Sequence, residues 1–97
     1  MWEFVRSLNC TFDMPKVLIT CPVRISVRRS IYTARATDLG LTAYGSSEEV
    51  AVEKLGEVVA FWVESIDAIP DRLKSVMEKT GVEYKIPGSP IQEELSG

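Results

Sequence analysis

The sequence predicts one small α+β domain: an antiparallel β-meander covered by a long helix, in the order β-β-β-α-α-β. Three observations carry that prediction. Apolar residues alternate with polar ones from Lys16 onward, the pattern of a half-buried strand. A Ser-Ser-Glu-Glu helix start at residues 46–49 precedes apolar residues at helical spacing. The chain has only 97 residues, 45% of them apolar and 26% charged, which suits one modest core and not a disordered chain.

Residues 1–15 read as an N-terminal extension. The segment holds Trp2, Phe4, Val5, Leu8 and Phe12, too apolar for an idle tail. It packs on the domain or on a partner, or else it stays mobile, with Met14 as an alternative start. The domain proper spans residues 16–87. In its first strand Val17, Ile19, Cys21, Val23, Ile25 and Val27 share one parity, and Lys16, Thr20, Arg24, Ser26 and Arg28 share the other. Pro22 lies on the outward parity and cannot donate a ladder hydrogen bond, which points to an edge position or a bulge. Arg28-Arg29-Ser30 is a polar break, and Ile31 to Thr37 forms the second arm of a hairpin. After Asp38-Leu39-Gly40, a short third strand runs over Leu41-Thr42-Ala43-Tyr44 and stops at Gly45.

Ser46 is placed to cap the amide of Glu49, with Glu49 reaching back in a capping box. Glu48 and Glu49 suit the positive end of the helix dipole. The helix runs to about Ser65. Ala51, Leu55, Val58, Val59, Trp62 and Ile66 form its buried stripe, and Glu53, Lys54, Glu57 and Glu64 its wet face. Val52 and Phe61 flank the stripe on opposite sides. Ile69-Pro70-Asp71 opens a shorter helix with Leu73, Val76 and Met77 inward and Gly81 as its C-terminal glycine. A last strand covers Val82 to Ile86, and residues 88–97 read as a flexible acidic tail.

Composition excludes several functions. The chain has no histidine, so Ser-His and Cys-His nucleophile chemistry is ruled out, while carboxylate or lysine chemistry stays formally open. Residues 16–36 contain no Asp or Glu, so carboxylates do not converge on the sheet as a metal-dependent nuclease needs. Cys10 and Cys21 are too few for a standard zinc site. A Cys10–Cys21 disulfide is possible in principle, but in a reducing compartment Cys21 reads better as a small apolar residue on a strand and Cys10 as part of an irregular N-terminal segment. The expectation is a non-enzymatic protein with no cofactor and no metal. No apolar run reaches the length of a membrane span, and Glu3 and Arg6 interrupt the first nine residues, so a cytoplasmic protein without a secretory leader is expected.

The stretch from Tyr32 to Glu49, with its Asp38-Leu39-Gly40 turn, short strand ending at Gly45 and Ser-Ser-Glu-Glu cap, resembles the core of the HicB-like antitoxin family. The likeness covers about Val17 to Val63. It implies a truncated ribonuclease-H-like sheet without the ribonuclease active site, a tendency to form homodimers or larger homo-oligomers, and a partner that is a small basic toxin ribonuclease. Family members that repress transcription carry a further DNA-binding domain. The residues after the long helix read instead as a short helix and a strand, so operator binding by this chain alone is not expected.

Net charge is −3 but uneven: residues 1–36 carry a balance of +4 and residues 37–97 one of −7. Two contact surfaces follow. Glu48, Glu49, Glu53 and Glu57 form an acidic helix face fitted to a basic partner. Arg24, Arg28, Arg29 and Arg35 cluster near the first hairpin, with Tyr32 close by, as a candidate contact for nucleic acid or an acidic partner. Four arginines on an acidic chain argue against nucleic acid as the main partner. The aromatic segment with Trp2, Phe4 and Phe12 is a further candidate surface, and a homo-oligomer without a client is the remaining alternative.

Overall fold

A computed structural model describes residues 3–69 and 72–86. The described elements are β1 (Glu3–Asp13), β2 (Leu18–Arg28), β3 (Ile31–Ala36), β4 (Leu41–Gly45), α1 (Glu48–Asp67), α2 (Arg72–Thr80) and β5 (Glu83–Lys85). The fold is α+β, as predicted, with one strand more than the sequence suggested. All strand pairs are antiparallel, in the order β1-β2-β3-β4, and β5 pairs with the first half of β2.

The extra strand is the supposed N-terminal extension. Ser7 to Asp13 alternate cleanly: Leu8, Cys10 and Phe12 face inward opposite Val23, Cys21 and Ile19. A bulge at Val5 then shifts the register, so that Phe4 pairs with Ser26 and Arg6 with Ile25. An extra residue re-aims the side chains beyond it. Arg6 keeps the inward parity of Leu8, on the helix side, where its guanidinium meets the Glu48 carboxylate with Nε donating to Oε1 at 3.1 Å. Phe4 is sent to the opposite face, so Phe4 and Phe12 do not share a surface; Phe12 is core, and Trp2 and the tail at 88–97 lie outside the described residues.

Pro22 sits in an interior strand, not at an edge. The pairing of β2 with β5 ends at Thr20 and that with β3 begins at Arg24. Residues 21–23 therefore have no described neighbour on that side, the one stretch of β2 where a missing donor is tolerated on a flank. Arg28 pairs with Ile31, which leaves a two-residue loop, and Arg29 and Ser30 both have positive φ (50° and 67°). A type I′ turn requires this combination and ordinarily uses Asn-Gly; other side chains pay about 1–2 kcal/mol per residue there. Replacing Arg29 by Asn together with Ser30 by Gly is expected to stabilise the fold by about 1–2 kcal/mol in urea denaturation. An unchanged midpoint would contradict this turn geometry.

One face of the sheet is dry. Val17, Ile19, Cys21, Val23 and Ile25 join Ala34, Ala36 and Ala43 beneath Ala51, Leu55, Val59 and Val63 of α1. The alanines of β3 and β4 let the helix approach the sheet closely. The buried stripe of α1 is the strict i, i+4 row through Val63; Val58, Trp62 and Ile66 are only half-buried at its margins. The cap also moves by one residue: Ser47, not Ser46, is the N-cap, and its hydroxyl accepts from the Val50 amide at 3.2 Å. With Val50 at the third helical position no capping box forms. α1 extends to Asp67, whose carboxylate meets Lys16 at 2.7 Å. In α2, Leu73 and Met77 are buried and Val76 half-buried, and Gly81 (φ 75°) ends the helix as predicted.

Candidate functional site

The domain has two open surfaces: the outer side of α1 and the uncovered side of the sheet. On α1, Glu49, Glu53 and Glu57 follow one another at i, i+4 spacing and are exposed, and the next position in the row is Phe61, 73% exposed. Lys54 is the one base on this helix against six acids. Glu48, expected in the same row, is not part of it. It turns toward β1 and is held by Arg6, which leaves its side chain only 20% exposed. This ion pair also raises the Arg6 guanidinium above its usual range.

The uncovered sheet face is built by strand parity. Ile25 faces the core, so its neighbours Arg24 and Ser26 face out, and the register continues across the sheet in two rungs. Phe4, Ser26, Thr33 and Tyr44 are successive partners across β1, β2, β3 and β4. Ser7, Arg24, Arg35 and Thr42 form the neighbouring rung. A shallow depression of about 310 Å³ lies over both, lined by Arg24, Ser26, Thr33, Arg35, Thr42 and Tyr44. Neutral groups hold its two guanidiniums. Arg24 stacks over the Phe4 ring at 4.5 Å, and Arg35 Nη1 donates to Thr42 Oγ1 at 3.5 Å. Among the described residues only Arg6 and Lys16 form ion pairs, so no carboxylate neutralises Arg24 or Arg35. Thr33 Oγ1 is buried at the floor without a hydrogen-bond partner among the described residues.

The structure thus splits the four predicted arginines. Arg24 and Arg35 are direct cross-strand partners, whereas Arg28 and Arg29 belong to the hairpin end, beside a second depression shared with Glu3. Tyr32 pairs with Val27, faces the core side and is half-buried, so it is not the aromatic of the arginine surface. The aromatics of that surface are Phe4 and Tyr44, 50% and 56% exposed. Tyr44 was legible from the parity of its own strand, since Ala43 is the inward residue. Phe4 was hidden by the bulge.

Cys10 and Cys21 face each other across β1 and β2 on the core side as free thiols. Burial pushes both up, Cys21 to about 11, with smaller contributions from Cys10 and Asp38. They remain protonated at neutral pH and are poor nucleophiles. Among the described residues no three of Cys, Asp and Glu gather where they could hold a metal ion, and no helix is long and apolar enough to cross a membrane. No family model, curated protein or solved structure matches the chain significantly.

Proposed function

We propose that the chain is a non-enzymatic protein-binding module of the HicB-like antitoxin kind, working in the cytoplasm, which masks a small basic toxin ribonuclease by docking it on the outer side of α1. One observation supports this most: Glu49, Glu53 and Glu57 run in an exposed row that ends on an exposed Phe61. Like charges at i, i+4 repel by about 0.2–0.5 kcal/mol per pair, and a basic partner relieves that repulsion. Charge complementarity steers the encounter, and an aromatic at the end of the row supplies a desolvated anchor. The strand-strand-strand-helix order of β2, β3, β4 and α1 accords with the truncated ribonuclease-H-like sheet that the family resemblance implies. The outer edges of β1 and β4 have no described strand neighbour and suit pairing with a second copy.

Affinity capture of the tagged chain from its host, after nuclease treatment and washing at moderate salt, tests this reading. The expected result is a stoichiometric small basic protein, released by high salt, whose ribonuclease activity is suppressed by equimolar addition of the chain. Recovery of the bait alone, or only of proteins lost on nuclease treatment, would contradict it.

A further inference from the structure

The open face of the sheet is a second surface, independent of α1. We infer that it binds single-stranded nucleic acid, with a backbone phosphate held between Arg24 and Arg35 and bases stacked at Phe4 and Tyr44.

The first argument is electrostatic. Arg24 and Arg35 stand directly opposite each other on adjacent strands, an arrangement that destabilises a sheet when the charges are alike. No described carboxylate relieves it. The acids on this face, Asp13 and Glu83, lie toward the other end of β2, opposite Leu18 and Thr20. Thr20 is four residues from Arg24, about 13 Å along the strand. Both guanidiniums are fixed by an aromatic ring or a hydroxyl, which orients them without consuming their charge. An oxyanion between them removes the repulsion and gains charge-assisted hydrogen bonds. Ser26 and Thr42 add hydroxyls around the same point.

The second argument selects the class of ligand. The depression is shallow, and a small molecule in it would stay largely wet, unlike ligands in typical pockets. A chain laid across the strands suits it better. Phe4 and Tyr44 end the rung next to the arginines and stand three strand spacings apart, about 14 Å. Exposed aromatics flanking a positive strip are what sequence-tolerant single-strand binding uses: rings and guanidinium planes stack bases while the strip tracks phosphates. The net charge of −3 does not oppose this, because α1 carries six acids on the far side of the sheet.

The test is fluorescence anisotropy of the full chain with 5′-labelled eight-nucleotide oligo-U and oligo-dT at low salt. Binding is expected, weakening with salt. Arg24→Gln with Arg35→Gln removes a like-charge pair, so the fold survives; it should abolish binding or flatten the salt slope by about 0.7, the share of one phosphate contact on a single strand. Tyr44→Leu should weaken binding roughly 5- to 150-fold, the span of stacking per base, while Tyr44→Phe retains it. Thermal melts of each variant check folding. Three results would overturn the inference: no binding by wild type, equal loss from Arg28→Gln with Arg29→Gln, or wild-type affinity in Tyr44→Leu with full competition by inorganic phosphate. The last would reduce the site to a simple anion contact.

Discussion

Replacing Gly45 by alanine is expected to destabilise the fold by about 1–3 kcal/mol, the usual range for overpacking at a site that cannot relax freely. β4 ends at Gly45 and the chain turns at once into α1, so strand and helix backbones nearly touch. A Cβ on Gly45 would lie 2.5 Å from the Ala51 amide nitrogen and 2.9 Å from the Val50 carbonyl carbon. Two of the closest atoms are backbone, and they belong to the first turn of the helix that covers the sheet. Relief would require that turn to lift, which would disturb Ala51 beneath it. For a domain of this size the loss lowers the melting temperature by roughly 4–8 °C per kcal/mol. An unchanged melting temperature would mean that α1 does not start against β4.

Leu55→Ala should cost more, about 2–5 kcal/mol in chemical denaturation. Leu55 is fully buried in the middle of the α1 stripe, between Ala51 and Val59. The core residues that β3 and β4 contribute to the same cluster are small, Ala34, Ala36 and Ala43, and have no side chain long enough to fill the space left behind. The cavity therefore persists, and the loss falls in the upper part of that range. A cost below about 1 kcal/mol would show that the helix is not seated on the sheet through this row.

The regular elements were legible because each rests on a single physical period. The alternation of β2 identified its core face residue by residue, and the wet glutamates of α1 were readable from their spacing. What escaped the sequence reading was interrupted periodicity. Ser7 to Asp13 alternate as cleanly as β2, so the inward set Leu8, Cys10 and Phe12 is open to parity; the bulge at Val5 breaks the alternation only before Arg6 and sends Phe4 to the face opposite Phe12. Arg6 keeps the parity of Leu8 and meets Glu48, an ion pair between residues 42 apart that no local pattern reports. Pro22 misled for a related reason: whether a proline strand is interior depends on which partners flank it, and β5 and β3 leave a gap beside it. At the candidate surfaces, parity located Arg24 and Arg35 on one face, but their juxtaposition required the β2–β3 register. The acidic row is shorter than its spacing suggests, Glu49, Glu53 and Glu57, because Arg6 engages Glu48.

Two faces of opposite charge divide the labour in this domain, and one measurement tests that division most directly. Affinity capture from the host is run in parallel with the wild-type chain, a Glu49→Lys, Glu53→Lys, Glu57→Lys variant and an Arg24→Gln, Arg35→Gln variant, each verified as folded by its thermal melt. The prediction is that wild type and the arginine variant retain the same small basic protein in stoichiometric amount, and that the glutamate variant loses it. Retention by the glutamate variant, loss by the arginine variant, or no basic protein with wild type would contradict the proposed role of α1.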